Sequence, residues 1–167
     1  MDFYNVLKTR RSIRKFQTKS VPQEVITRIT KHIPFAPTWA NKQGVKYLLI
    51  SNPEKVSQVS QATGQEWTKT APLFLVVCIS PSQSGKNQNG LENYPVDAAI
   101  GLYHVILSAT NEGLGTCWIG WFDESQMKKV LDISSSTRII GLTPIGYPDE
   151  TPKPQKRKSL DYFLTEI

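Results

Sequence analysis

The stretch VDAAIGLYHVILSATNEGLGTCWIG, residues 96–120, carries the longest helical pattern of the chain and the point at which that pattern stops. Apolar side chains fall on several sides of its first part, which is typical of a helix at the centre of a fold. Gly113 and Gly115 end the pattern, and residues 116–119 predict a short strand. We therefore expect a long central helix over residues 96–111 that turns tightly into a sheet.

Helical and extended patterns alternate on both sides of this stretch. Apolar residues at helical spacing predict helices over residues 2–10, 22–33, 52–62 and 123–131. Apolar and β-branched runs predict strands over residues 45–50, 73–80 and 138–147, the second of them buried on both faces. Prolines predict irregular chain over residues 34–44, and the polar run 82–93 predicts a mobile surface loop. Asp123 and Gln126 resemble a capping box. This combination of predicted helices and strands indicates an α/β or α+β fold in one domain.

Length and composition restrict the class of protein. A chain of 167 residues suits one domain, and with 39% hydrophobic and 20% charged residues it is not expected to be disordered. Its apolar runs are too short to span a bilayer, and we expect no secretory signal at its N-terminus. Cys78 and Cys117 each lie in an apolar run, which predicts free buried thiols in a cytoplasmic protein. Two histidines and two scattered cysteines give no metal-ligand spacing.

The formal net charge is +6, and cationic residues concentrate near the two ends of the chain. The two clusters consist of Lys8, Arg10, Arg11, Arg14, Lys15 and Lys19, and of Lys153, Lys156, Arg157 and Lys158. Such clusters can converge on one anionic ligand, contact nucleic acid or form a solvated surface. The chain has no aromatic RNA-binding signature, helix-turn-helix spacing or zinc finger, which disfavours a nucleic-acid partner.

Side chains that could carry out chemistry on their own are scarce. His32 and His104 fall in predicted helices without a nucleophile nearby in sequence, so both favour a structural role. The chain has no G-x-G-x-x-G motif, P-loop or paired acidic motif. An enzyme of this kind commonly takes its chemistry from a cofactor. The segment RRSIRKF, residues 10–16, offers donors suited to phosphate, with Arg10, Ser12 and Arg14 on one side if the chain is extended.

Three segments in register resemble the nitroreductase family of FMN enzymes. RRSIRKF resembles the opening signature of that family, and APTWANKQ at residues 36–43 is similar to its A-P-S-x-x-N-x-Q segment. NEGLGTCWIG at residues 111–120 resembles its G-L-G-x-x-W-I-G stretch. The resemblance covers nearly the whole chain. It implies an α+β fold in one domain over residues 1–167, with a mixed, mostly antiparallel sheet flanked by helices and the long helix at a dimer interface.

The resemblance also implies where FMN would bind. The phosphate and the polar edge of the flavin would be held by Arg10, Arg11, Ser12, Arg14, Arg157 and Lys158. The flavin ring would lie along Trp118, Ile119 and Gly120, with the Gly120 amide near N5 and Gln65 as a further contact. The other subunit of a homodimer would supply Pro37, Thr38, Trp39 and Asn41. From the residues alone, Trp39 is either a core plug or a wall of the active site.

The implied activity is two-electron reduction by a ping-pong route. NADH or NADPH would be the donor, and a small molecule of nitroaromatic or quinone type the acceptor. No side chain would be catalytic, because the flavin N5 carries the chemistry. Two alternatives stay open: a specialised flavoprotein that destroys its flavin or dehalogenates a ligand, and a basic nucleic-acid-binding protein. The chain departs from the family where Gln43-Gly44-Val45 replaces Q-P-W, and in its short length.

Overall fold

Four strands form a single sheet in the computed structural model, which describes residues 2–167. In the order in which they lie side by side, the strands are β1 (Lys46–Ile50), β2 (Leu73–Ile79), β4 (Arg138–Gly146) and β3 (Gly115–Thr116). Each pair of neighbouring strands is antiparallel. The parallel component of the predicted mixed sheet is one bridge, between Ser12 and Thr116.

Within residues 2–167, five α-helices flank this sheet. They are α1 (Phe3–Thr9), α2 (Gln23–Thr30), α3 (Pro53–Thr63), α4 (Tyr94–Asn111) and α5 (Glu124–Leu131). Side-chain oxygens of Asp2, Asn52 and Asp123 explain three of the helix starts, since they accept hydrogen bonds from N–H groups of the first turn. Asp123 caps the Gln126 N–H, but among residues 2–167 the Gln126 side chain returns no bond, so the predicted capping box is half formed.

β2 is buried at every position, as the sequence predicted. Leu73, Leu75, Val77 and Ile79 face a core that contains α2 and α4. Phe74, Val76 and Cys78 face a second core, which contains α3 and α5. The pairing of β2 with β4 shifts between Val77 and Cys78, so Ile140 is an extra residue on β4 and forms a bulge. The sheet is therefore the middle layer between two groups of helices.

α4 is the central helix that the glycine-terminated pattern predicted. Leu102 and Ala109 are fully buried along it, and Gly113 follows with a φ of 75°, a left-handed conformation that glycine adopts without strain. The helix begins two residues earlier than predicted, at Tyr94, because Pro95 fits the first turn. No helix within residues 2–167 is long and apolar enough to cross a membrane.

The polar run 82–93 is more ordered than predicted. A 3₁₀ turn over Pro81–Gln83 begins it, and a bridge with an ion pair joins Lys86 to Glu92. Ser84 is buried at 4% exposure. The prediction of a mobile surface loop is therefore wrong for the first part of this run, which is packed against the rest of the protein.

The strand predicted over residues 116–119 is interrupted. Of residues 115–119, Gly115 and Thr116 pair with β4 in regular register. The Cys117 N–H donates to the Thr143 hydroxyl at 3.1 Å instead of to a backbone carbonyl, and pairing resumes only at Ile119. A side chain therefore replaces one rung of the ladder, which the apolar sequence pattern does not reveal.

Candidate functional site

Backbone pairing brings the two cationic clusters of the chain together. The Ile13 N–H donates to the Thr116 carbonyl at 2.9 Å, which attaches residues 12–16 to β3. Two residues later, the Lys15 carbonyl accepts from the Asp149 N–H at 2.9 Å. The N-terminal motif therefore lies between β3 and the segment that follows β4.

A cavity of about 350 Å³ opens between this motif and the C-terminal segment. It is lined by Arg10, Arg11, Ser12, Arg14, Pro152, Lys153, Gln155 and Arg157. Every ionisable side chain in the lining is cationic, and this region is called the cationic cavity below. Of the three possibilities left open by the sequence, this geometry is compatible with convergence of the two basic clusters on one anionic ligand. Lys153 and Gln155 were missed, because a position in a basic tail does not distinguish them from their neighbours.

Two residues predicted to hold a phosphate have other partners. The Arg11 guanidinium donates to the carbonyls of Lys8 and Arg10 at 2.6 and 2.9 Å, so it also closes the end of α1. Lys158 does not line the cationic cavity. Its ammonium lies 3.3 Å from the centre of the Tyr162 ring, a cation–π contact within the C-terminal segment. The structure therefore brings Arg157 to the cavity and leaves Lys158 outside it.

The charge of the cationic cavity reaches the buried thiol of Cys117. Burial raises the pKa of this thiol, while Arg14, a hydrogen bond with Ser12 and Arg10 act in the opposite direction. Burial dominates, so the thiol remains neutral near pH 7. Both Cys117 and Cys78 are free and buried, as the sequence predicted.

A series of side-chain contacts leads from the cationic cavity to residues 118–121. The guanidinium carbon of Arg14 lies 5.9 Å from the centre of the Trp67 ring. The Trp67 indole N–H donates to the Gln65 side-chain oxygen at 2.9 Å, and Gln65 Nε2 donates to the Trp121 carbonyl at 3.0 Å. Gln65 thus lies between the cationic cavity and residues 118–121. Trp67 connects them and was missed, since a single tryptophan in a helical turn carries no distinguishing pattern.

Residues 118–120 differ in the exposure of their side chains and in the pairing of their backbone groups. Trp118 is 39% exposed, and its ring packs against the backbone at Gly141, where an added Cβ would lie 2.9 Å from the Cζ2 atom. Ile119 is buried, and its N–H and carbonyl both pair with Leu142, so it is not available to a ligand. Gly120 is exposed, and within residues 2–167 its N–H has no hydrogen-bond partner.

Residues 37–43 are anchored at the start of α4. The Trp39 N–H donates to the Asp97 carboxylate at 2.8 Å. The Thr38 hydroxyl accepts from the Gln43 N–H at 2.9 Å, and Gln43 Nε2 donates to the Asn41 side-chain oxygen at 3.0 Å. Pro37 is exposed beside them. The segment is thus fixed by its own hydrogen bonds, and 37% of the Trp39 surface remains exposed.

Within one chain, the 37–41 segment lies far from the residues of the cationic cavity. Trp39 attaches to the first turn of α4, whereas Ser12 bridges Thr116, beyond the last turn of that helix. Asp97 and Asn111 alone are separated by about 21 Å along an α-helix. No residue of 37–41 lines the cationic cavity. The 37–41 segment and the cationic cavity therefore form separate surfaces of one protomer.

His32 and His104 lie away from the cationic cavity. They line a separate groove of about 390 Å³ between α1, α2 and α4, together with an ion pair between Arg28 and Glu112. Among the residues that the structure describes, no group of His, Cys, Asp and Glu is arranged to hold a metal ion. The side chains that converge in this protein are cations and aromatic rings.

Sequence comparison places this chain among known oxidoreductases. Residues 2–166 match the family model described as "Putative TM nitroreductase". A curated relative from Methanothermobacter thermautotrophicus, named "Putative NADH dehydrogenase/NAD(P)H nitroreductase", is 27% identical over 161 residues, which cover 91% of this chain and 80% of the relative.

Solved structures agree with the sequence comparison over the same length. A nitroreductase family protein from Clostridium novyi NT is 33% identical, with a TM-score of 0.85 over 93% of this chain and 89% of that one. An FMN-dependent nitroreductase from Clostridium difficile R20291 is 26% identical, with a TM-score of 0.83 over 99% and 98%. The four strands, the central helix and the three sequence motifs all lie within residues 2–166, which match the family model. This chain belongs to the nitroreductase family.

Proposed function

We propose that this protein is an FMN-dependent oxidoreductase that works as a homodimer. It takes electrons from NADH or NADPH and reduces an electron-poor small molecule of nitroaromatic or quinone type. The names of two relatives support the cofactors, since one is called an NAD(P)H nitroreductase and another an FMN-dependent nitroreductase. The buried free thiols Cys78 and Cys117 support a cytoplasmic location.

The observation that carries this proposal is the cationic cavity. Its lining combines four guanidinium groups, one ammonium and the Ser12 hydroxyl, a donor set suited to a phosphate dianion. FMN carries such a phosphate at one end and a flat aromatic ring system at the other. The contacts through Arg14, Trp67 and Gln65 lead from the cavity to the Trp121 carbonyl, next in sequence to the exposed Gly120, and we place the ring beside Trp118 and Gly120.

Residues of this chain would bind the cofactor, exclude water from it and supply positive potential. Bound FMN supplies two-electron chemistry at N5. The unpaired Gly120 N–H is available to donate to that atom without a competing side chain. Trp118 offers an aromatic surface that excludes water from the ring. The five cations hold the phosphate and add positive potential, which favours the reduced cofactor. No side chain is assigned as acid or base.

A homodimer would complete the site. Because Trp39 and Ser12 attach at opposite ends of α4, the 37–41 segment of one subunit would cover the cofactor held by the cationic cavity of the other. Apolar side chains that remain exposed support an extensive interface: Phe3, Tyr4, Val96, Tyr103, Leu160, Phe163 and Leu164. Three of these lie in the C-terminal segment, where residues 153–167 are all exposed.

The direct test is the flavin content of the purified protein. We expect a yellow protein that releases FMN on denaturation, identified by mass spectrometry, and that is bleached anaerobically by NADH or NADPH. Initial rates measured against donor and acceptor should give the parallel reciprocal plots of a ping-pong mechanism. A colourless protein that takes up no added FMN would overturn the proposal.

The same preparation separates the alternatives. Halide release from a halogenated phenol under anaerobic reduction would identify a dehalogenating relative. Loss of flavin absorbance during turnover with oxygen would identify a flavin-destroying one. Salt-sensitive binding of DNA or RNA by a flavin-free protein would favour the nucleic-acid reading, because the same Arg and Lys side chains would then neutralise phosphates of a polymer.

A further inference from the structure

Asp97 is a buried carboxylate at the first turn of α4 and is only 3% exposed. One of its oxygens accepts from the Trp39 N–H at 2.8 Å, and the other accepts from the Ser84 hydroxyl at 2.6 Å. A buried charge is costly unless hydrogen bonds compensate it, and the N-terminal end of a helix favours a negative group. Asp97 therefore joins two loops that are far apart in sequence, at one fixed point.

Further contacts hold the same two loops against each other. Lys42 Nζ donates to the Ser84 carbonyl at 2.7 Å. A Cβ added at Gly85 would lie 2.1 Å from the indole nitrogen of Trp39, so this glycine lets the ring approach the backbone. A Cβ added at Gly44 would lie 2.5 Å from the Gln83 carbonyl. These contacts define the loop clamp, formed by Asp97, Ser84, Gly85, Lys42 and Gly44.

The segment that the loop clamp holds is conformationally strained. Ala40, Asn41 and Gln43 have φ values of 45°, 55° and 52°, a region that side chains other than glycine adopt at a cost. Such a conformation persists only where surrounding contacts enforce it. Among the contacts that maintain this strained conformation, the two hydrogen bonds to Asp97 are the buried ones.

We propose that Asp97 is a positioning residue for the acceptor side of the active site. It fixes Trp39 and its neighbours in the geometry in which they cover the flavin of the partner subunit, and Ser84 and Gly85 complete the loop clamp. This inference rests on the proposed function for its catalytic consequence, but its structural part concerns residues of a single chain. Asp97 contacts neither the cationic cavity nor Gly120, so it acts through the position of Trp39.

The test compares Asp97→Ala, Asp97→Asn and wild type as purified holoenzymes. Hydrogen exchange, read by mass spectrometry on peptides that cover residues 38–43, should become at least about tenfold faster in Asp97→Ala, since hydrogen bonds to a charged group are lost. The KM for a nitroaromatic acceptor should rise by a similar factor, with kcat and FMN content changed less than about twofold. Asp97→Asn keeps an acceptor for the Trp39 N–H and should restore both readouts.

Two further variants keep the test decisive. Gly85→Ala leaves Asp97 intact but displaces the Trp39 ring, and it should reproduce the same KM change if Asp97→Ala fails to fold. Asn52→Ala removes a comparable helix-terminal hydrogen bond on α3, away from the loop clamp, and should change neither readout. Exchange of residues 38–43 at the wild-type rate in Asp97→Ala would overturn the inference. The exchange rates are readable without flavin, so a flavin-free protein would count against the proposed function alone.

Discussion

The Ile13 N–H donates to the Thr116 carbonyl at 2.9 Å, across about a hundred residues of sequence. This bond attaches the N-terminal basic motif to the strand that follows the central helix. A Cβ on the neighbouring Gly115 would lie 2.8 Å from the Ile13 side chain, so the two segments are packed as closely as backbone permits. The N-terminal side of the cationic cavity is therefore positioned by its attachment to the sheet.

Arg10→Ala should weaken FMN binding by about 1.5–3 kcal/mol, the loss expected for a charge-assisted hydrogen bond. Arg10 lines the cationic cavity, and its guanidinium is available to a phosphate. Flavin fluorescence quenching on titration of the apoprotein measures the dissociation constant. Lys19→Ala is the control, because the Lys19 ammonium lies over the Tyr147 ring, outside the cavity. An unchanged constant in a folded Arg10→Ala protein would remove Arg10 from the phosphate site.

Gly120→Val should lower the FMN content or shift the flavin absorbance spectrum. A Cβ at Gly120 would already lie 3.2 Å from the Trp118 indole nitrogen, and a branched side chain would extend over the exposed N–H proposed to meet N5. Gly120→Ala should have an intermediate effect, since a single methyl group needs only a small shift of the indole. Normal occupancy and normal reduction by NAD(P)H in the valine variant would contradict this role.

Ala99→Arg should lower dimer content and FMN content together. Ala99 lies on the half-exposed side of α4, near Val96 and Tyr103, so a charge there would be buried without a partner in a dimer. Size-exclusion chromatography with light scattering, combined with the flavin absorbance of each peak, measures both quantities. Gln61→Arg on the exposed side of α3 is the matched control. A monomer with full flavin would show that the 37–41 segment is not supplied by a second subunit.

Tyr47 should make the protein lose stability in alkaline solution. Burial raises the pKa of Tyr47 from 10.0 to about 12, because the charged form is disfavoured against α4, where its hydroxyl meets Gly101. A raised pKa contributes stability that is fully present below pH 10 and is lost as the pH rises through 10 toward 12. Urea unfolding at pH 8 and at pH 11 should therefore show a smaller loss of unfolding free energy in Tyr47→Phe than in wild type. Equal losses in the two proteins would contradict this assignment.

Local signals in the sequence were sufficient for most of the architecture. The glycines after Asn111 marked the end of α4, and the unbroken apolar run of β2 predicted burial on both faces, because each depends only on nearby residues. The separation of basic residues into two clusters allowed three interpretations, and the structure places members of both clusters side by side, because backbone pairing joins residues 15–17 to the segment after β4.

Features that depend on contacts between distant segments were not predictable. Nothing near Ser84 indicates that its hydroxyl is bonded to Asp97, so the loop was expected to be mobile. Lys153 and Lys158 look alike in sequence, yet only Lys153 lines the cationic cavity. Gly44, a departure from the family pattern, is explained only by the close approach of Gln83.

The all-apolar pattern of β2 has a consequence for assembly of the sheet. A pairing displaced by one residue would exchange Leu75 and Val76 between the two cores with little loss of buried apolar surface, so hydrophobicity does not reject this error. The feature that distinguishes the correct pairing from the displaced one lies in β4, where Ile140 forms the bulge and Gly141 lies beneath Trp118. A displaced β4 would bring a larger side chain into collision with that ring. We therefore expect steric exclusion at Gly141, within the interior strand β4, to disfavour the displaced pairing, so that a residue without a side chain helps to set the register of the sheet.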